Sequence, residues 1–258
     1  MIPKIIHYTW FSGEPFPDKI KQCIESWKLH NPQYSLKLWD MNAICEIDSP
    51  FLKEAIAMKK WAYAADFVRL YAVYNEGGIY LDTDCYLYKS FDDFSDCNAF
   101  IGKENSIHFE SGSSAQYLSS HCFGAEKNHP FIGACLSYFT DRHFITSRNE
   151  NLPVPLRLNY VLLPYIQAEI ARLWGYDWKP LNQKIQHCKD GLVIYPTDFF
   201  DALSLKNCTI CKHLALGSWR VDVIKEPEYN LKYKITWRII WVLKFICRKF
   251  NYVLLKIE

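Results

Sequence analysis

The chain has 258 residues, half of them hydrophobic, with 30 basic and 28 acidic side chains and a formal charge of +2. That length fits one mid-sized domain with a full core, and the composition excludes a disordered chain. From Lys232 onward seven basic residues stand against Glu258 alone, and such a basic tail on a mildly acidic body argues against general nucleic-acid binding and points to an anionic membrane surface.

Lys4 to Trp10 reads as a short strand after Pro3, followed by the Gly/Pro-rich turn Ser12–Pro17. Asp18 stands where it can N-cap a helix. The helix stripe is Ile20, Cys23, Ile24 and Trp27, and Asn31-Pro32 ends it. Tyr34 to Trp39 alternates as a second strand. Strand, helix and strand within about 40 residues make a parallel βαβ unit. Such units bind ligands at the carboxyl ends of their strands, here near Thr9-Trp10 and Trp39-Asp40. A longer helix is expected from Pro50 to Asn75 with a break at Lys59-Lys60, and Gly77-Gly78 stops it. Ile79-Tyr80-Leu81 reads as a buried strand running straight into Asp82-Thr83-Asp84. From 86 to 150 the pattern weakens into short strands and loops. Residues 156–174 read as helical, and Leu192 to Tyr195 as another strand. The alternation of elements makes an α/β domain the expected class.

The side-chain period of a strand turns Tyr80, Asp82 and Asp84 to one face and Ile79 and Leu81 to the other. Two like charges at a strand end are costly unless neutralised, and a divalent cation held between them can also grip a diphosphate. The tripeptide alone is common; the apolar strand and Gly-Gly turn before it strengthen the reading. Asp66 and Arg69 sit three apart on the preceding helix, off its apolar stripe. They read equally as a solvated ion pair or as groups meeting donor phosphate and sugar hydroxyls.

Aromatics make up 16% of the chain, including 9 Trp and 17 Tyr, which suits stacking on bases and sugar rings as well as an aromatic core. The N-terminal residues lack the pattern of a signal peptide, and no apolar run of 18 residues suggests a membrane span. The ten cysteines are scattered and read as reduced cytosolic thiols. Cys208 and Cys211 have metal-like spacing without a second pair, so they read as structural.

The stretch from Trp61 through Asp66, Arg69, Gly77-Gly78 and Tyr80 to Asp82-Thr83-Asp84 resembles the signature of the family 32 glycosyltransferases. It is also similar to the catalytic core of the clostridial glucosylating toxins. The opening Ile2–Trp10 matches the usual family start, and His213–Trp219 resembles its closing His…Ser-Trp element. The resemblance implies a GT-A fold, meaning a Rossmann-like nucleotide-binding mixed sheet flanked by helices. It also implies Mn²⁺- or Mg²⁺-dependent transfer from a nucleotide-sugar with retention of anomeric configuration. By position, Trp10 would stack on the donor base, Asp66 and Arg69 would hold the sugar and phosphates, and Thr9 and Tyr80 would also bind the donor. Asp82 and Asp84 would serve donor and metal, His213 and Ser218 would complete the metal shell, and Trp219 would stand beside the leaving diphosphate. A mixed carboxylate and imidazole set favours Mn²⁺ modestly. Where the family often has Ser, this chain has Ala65, a departure that bears on donor choice.

The expected organisation is a catalytic domain over 1–225 and a basic, aromatic-rich tail over 226–258. Trp237 to Ile257 mixes large apolar residues with Arg238, Lys244, Arg248 and Lys249, which suits a helix lying in the headgroup plane or one docked on the domain. The leading expectation is a hexosyltransferase, with UDP-hexose favoured over GDP-mannose. It would act on a glycan or lipid-linked acceptor in bacterial polysaccharide synthesis, at the inner face of the cytoplasmic membrane. The alternatives are a metal-dependent nucleotidyl- or phosphotransferase, for which Ser12-Gly-Glu-Pro is a poor phosphate loop, and a non-catalytic glycan- or membrane-binding relative.

Overall fold

The protein, seen in a computed structural model, is described over residues 1–94, 97–110, 112–201 and 208–217. Strand β1 (Ile5–Thr9), helix α1 (Asp18–His30) and strand β2 (Ser35–Trp39) form the expected unit, with β1 and β2 parallel and in register from Ile5/Ser35 to Thr9/Trp39. Pro17, not Asp18, holds the cap position of α1, and no side chain caps that end. Proline fixes its own φ and leads directly into the first turn, so Asp18 is instead the first helical residue, where its charge favours the helix dipole. The long helix divides as expected into α2 (Pro50–Ala57), N-capped by the Ser49 hydroxyl on Leu52 N–H, and α3 (Trp61–Glu76). Lys59 at φ 53° makes the break.

Helix α3 ends on Gly77, and β3 (Gly78–Leu81) follows at once. Gly78 has φ +101°, and a Cβ there would lie 2.7 Å from the Ile5 carbonyl oxygen. A bare backbone is therefore what lets β3 lie beside β1, parallel, with Ile6 opposite Ile79 and His7 opposite Tyr80.

Past the Asp82–Asp84 turn the chain forms β4 (Cys85–Leu87), β5 (Ala99–Lys103), the hairpin β6 (His108–Glu110) and β7 (Ser113–Ala115), then β8 (Leu118–Ala125). The remaining elements are α4 (Pro130–Ser137), α5 (Leu163–Leu173), β9 (Gln186–His187), β10 (Leu192–Tyr195), α6 (Thr197–Phe200) and β11 (Cys211–His213). The helix expected over 156–174 begins only at Leu163, because Pro164 belongs in a first turn and Leu162 before it is extended.

Seven strands make one mixed sheet in the order β2-β1-β3-β8-β5-β10-β9. Strand β8 is antiparallel to both of its neighbours, β3 and β5. One face packs against α2 to α5 through residues such as Phe51, Val68, Leu70, Tyr80, Phe123 and Ile166. The other packs on α1, α6 and the small antiparallel pair β4/β11, around Trp27, Ile79, Leu81, Phe100 and Phe200. This is the mixed, helix-flanked α/β sheet that the sequence leads one to expect.

Candidate active site

The carboxyl ends of β1 and β3 carry the groups singled out in the sequence. Tyr80, on the α3 side of the sheet, sends its hydroxyl to Asp82 Oδ1 at 2.9 Å, and Thr9 Oγ1 lies 3.1 Å from the same hydroxyl. A carboxylate only accepts, so Tyr80 donates to Asp82 and Thr9 donates to Tyr80. Strand alternation accounts for Tyr80 and Asp82, but β3 stops at Leu81. Asp84 reaches the same region through a turn closed by Cys85 N–H on the Asp82 carbonyl, at 3.0 Å, and not by continuing the strand.

Arg69 is buried beneath these groups at 5% exposure. Its Nη2 lies 3.2 Å from Asp66 Oδ1 and 3.2 Å from Asp82 Oδ1. Nη1 donates to the Ser120 carbonyl at 2.7 Å and Nε to the Ala65 carbonyl at 3.2 Å, while the guanidinium lies 4.7 Å from the Tyr80 ring centroid. Burial opposes the Arg69 charge, but Asp82, Tyr80 and Asp66 beside it outweigh burial and raise its pKa. The solvated-pair reading of Asp66 and Arg69 is therefore excluded. Burial pushes Asp66 up to about 6, with Arg69 opposing the rise and Asp82 adding to it.

Asp84 meets His213. Strand β11 pairs antiparallel with β4, setting His213 opposite Cys85, and His213 Nε2 lies 3.1 Å from Asp84 Oδ1. Leu216 N–H donates to Asp84 Oδ2 at 2.9 Å. Burial alone would raise Asp84, but its hydrogen bonds with His213 and Leu216 lower its pKa; burial likewise works against charge on His213, and Asp84 raises it.

One ligand atom each from Asp82, Asp84 and His213 lies within 4.8 Å of the others. Three carboxylates (Asp66, Asp82, Asp84) share this region with one guanidinium and one imidazole. Such a set carries excess negative charge, and its oxygen and nitrogen donors fit a divalent cation.

Trp10 stands just past β1, half-buried, with its ring 5.0 Å from that of Phe16 and its Nε1 donating to the Glu14 carbonyl at 2.6 Å. Ala65, in the family's serine position, is buried in the core. Ser218, Trp219 and the tail from 226 lie outside the described residues. Sequence reasoning missed Ser120 and Leu216, which bind through backbone atoms and leave no side-chain signal. It also missed His121, whose ring stacks on His213 at 4.5 Å.

Residues 17–106 match the model of the glycosyltransferase sugar-binding region containing the DXD motif. The stretch belongs to that family. A curated relative, inositol phosphoceramide mannosyltransferase 3 of Schizosaccharomyces pombe, is 33% identical over 189 residues, covering 69% of this chain and 49% of the relative. An uncharacterized glycosyltransferase, L373, of Acanthamoeba polyphaga mimivirus is 32% identical over 100 residues, or 36% of this chain and 40% of that protein. The chain thus spans about half or less of the curated relatives it matches. Among solved structures, the PaToxG glycosyltransferase aligns with TM-score 0.43 at 20% identity, covering 67% of this chain and 69% of that one.

Proposed function

We propose that the protein transfers a hexose from a nucleotide-sugar to a hydroxyl of a glycan or lipid-linked acceptor, with retention and with a divalent cation at the donor diphosphate. The observation that carries this reading is the joining of two ion-paired groups, Asp66–Arg69–Asp82 and Asp84–His213, at one end of a mixed sheet, with Asp66, Arg69, Asp82 and Asp84 inside the DXD sugar-binding region. Asp82, Asp84 and His213 would hold the cation, which when bound neutralises charge on the leaving diphosphate. The mixed donor set supports Mn²⁺ over Mg²⁺.

The protein's own groups then have distinct tasks. Asp66 accepts from sugar hydroxyls, and its pKa, raised to about 6 by burial, leaves it only half ionised at that pH. Arg69 directs its N–H groups at protein acceptors, so it is a positioning residue that aims Asp66 and Asp82. Trp10 offers a ring face for the base, and Thr9 fixes the Tyr80 hydroxyl. The acceptor oxygen attacks the anomeric carbon from the face of the leaving group. The bond from that carbon to the phosphate oxygen breaks, and the departing phosphate takes the acceptor proton. No carboxylate nucleophile is needed in such a path, and electrostatic stabilisation of the leaving group supplies the rate.

UDP-hexose is the donor that the sequence resemblance favours. The relative named for mannosyl transfer to inositol phosphoceramide supports testing GDP-mannose beside it, and a lipid-linked acceptor with it. The two curated relatives come from a yeast and a virus, so the bacterial surface-glycan setting rests on the sequence resemblance alone.

The test is incubation with Mn²⁺ and a panel of UDP- and GDP-sugars, following donor hydrolysis and the anomer of any transferred sugar. Turnover of one donor class with retained configuration is expected; binding of no donor, or an inverted product, overturns the reading. Asp84→Asn should lower metal-dependent turnover by about a hundredfold or more, with an unchanged circular dichroism spectrum. Wild-type rates in that variant would refute the metal assignment.

A further inference from the structure

Behind the Asp84–His213 pair lies a second group of donors of different chemistry. Cys85, His121 and Cys211 each offer one atom within 4.8 Å of the others, and all three are buried. They come from three strands: Cys85 from β4, Cys211 from β11 and His121 from β8 of the main sheet. We propose that Cys85, Cys211 and His121 form a structural site for a thiophilic divalent cation of the Zn²⁺ class, separate from the carboxylate site.

Three observations support this. The His121 ring is already oriented, with Nε2 2.9 Å from the Phe200 carbonyl oxygen. With the proton on Nε2, the Nδ1 lone pair is the one left for a metal, the usual arrangement for a ligating imidazole. Cys211 Sγ also reaches the Phe200 carbonyl, at 3.2 Å, and Cys85 Sγ the His121 carbonyl, at 3.5 Å, so both sulfurs are held in place on the backbone. Charge also balances: two S–H bonds break, two sulfur–metal bonds form, two protons leave to solvent, and the two thiolates cancel the dication in a site that water does not reach. Cys122, whose thiol hydrogen-bonds with that of Cys211, is a candidate for a fourth position.

The placement gives the ion a task. Cys85 follows Asp84 directly, Cys211 lies two residues before His213, and the His121 ring stacks on the His213 ring at 4.5 Å. An ion joining the three strands would fix β4 and β11 to β8, and with them the frame on which Asp84 and His213 meet. Thiolate and imidazole select a soft cation, whereas the oxygen-rich set in front selects a hard one, so the two sites need not exchange ions.

Full-length protein loaded with Co²⁺ tests the site. A thiolate-to-cobalt charge-transfer band in the near ultraviolet is expected, at about one equivalent, displaced by Zn²⁺ and untouched by excess Mn²⁺. Cys85→Ser and Cys211→Ser should each lose the band, while Asp84→Asn and the exposed-cysteine variant Cys45→Ser keep it. A folded wild type without the band, or a band that survives both serine variants, overturns the proposal. Because both serines enter the core, the wild type carries an independent readout. X-ray absorption at the zinc edge must show sulfur neighbours at about 2.3 Å, and a shell of oxygen and nitrogen alone overturns the site.

Discussion

Arg69 offers five N–H bonds, and its partners are the Ala65 and Ser120 carbonyls and the Asp66 and Asp82 carboxylates. A planar fork can satisfy acceptors in those directions at once, while the single ammonium of lysine cannot. The carboxylates Asp66 and Asp82 come from different elements, so an ammonium that reaches one of them leaves the other without its ion-pair partner. Arg69→Lys should therefore destabilise the protein by about 3 kcal/mol in urea unfolding, as expected for breaking a buried pair. If Arg69 positions its neighbours rather than touching the donor, turnover number should fall more than donor KM rises. A variant with full stability and a changed KM alone would return Arg69 to direct donor contact.

Gly78 sets the element scale, because β1 and β3 can carry Thr9 and Tyr80 to one point only if their backbones close up. A methyl group at Gly78 meets the Ile5 carbonyl oxygen at 2.7 Å and must also adopt φ +101°. Gly78→Ala should cost at least about 2 kcal/mol, read from the shift of the urea midpoint, and a neutral result would mean that the two strands can separate cheaply. The Gly-Gly pair, the β1–α1–β2 unit and the broken helix were all legible because periodicity and turn residues encode them locally. Strand β8 was not: Leu118–Ala125 is buried throughout and contains Ser119, Ser120, His121 and Cys122, so no apolar/polar alternation marks it. In the site, Asp66, Arg69 and the Asp82–Asp84 triplet were legible as spacings within 20 residues or so. The pairing of β4 with β11 joins residues more than 120 positions apart, and neither the Asp84–His213 contact nor the cysteine–histidine group has a local signal.

Lys103 ends β5 as a second long-range tie, with its ammonium on the carbonyls of Asp177 (3.4 Å), Lys179 (3.4 Å) and Asn182 (2.6 Å). Burial lowers its pKa to about 8, Asp177 opposing. The unfolded chain then holds this proton up to about pH 10.5 while the folded one has released it. Lys103 thus contributes stability that rises with pH between about 8 and 10.5. Measured against Lys103→Met, wild-type stability should gain ground across that window and run parallel below it. A difference that stays flat from pH 8 to 10.5 would remove Lys103 as a buried titrating group.

At the scale of the whole molecule, Met1–Leu216 form one compact unit, and no helix among the described residues is long and apolar enough to cross a membrane. If the acceptor is lipid-linked, as proposed, the donor site has to meet a bilayer surface. The stretch Trp237 to Ile257 has the composition for it: tryptophans and large aliphatics interrupted by Arg238, Lys244, Arg248 and Lys249. A segment of this composition would bind a bilayer through two additive terms, apolar insertion and attraction to anionic headgroups. The second contributes about 1 kcal/mol per basic residue and is screened by salt. Lys244→Gln, Arg248→Gln and Lys249→Gln together should therefore weaken binding of the full chain to phosphatidylserine-containing vesicles by about a hundredfold at low salt. Binding to neutral vesicles should be unchanged, and soluble donor hydrolysis should be unaffected. Equal sedimentation of the triple variant and the wild type with anionic vesicles would mean that the basic residues face something other than lipid. A parallel loss of donor hydrolysis would mean that these basic residues act on the donor site and not on lipid.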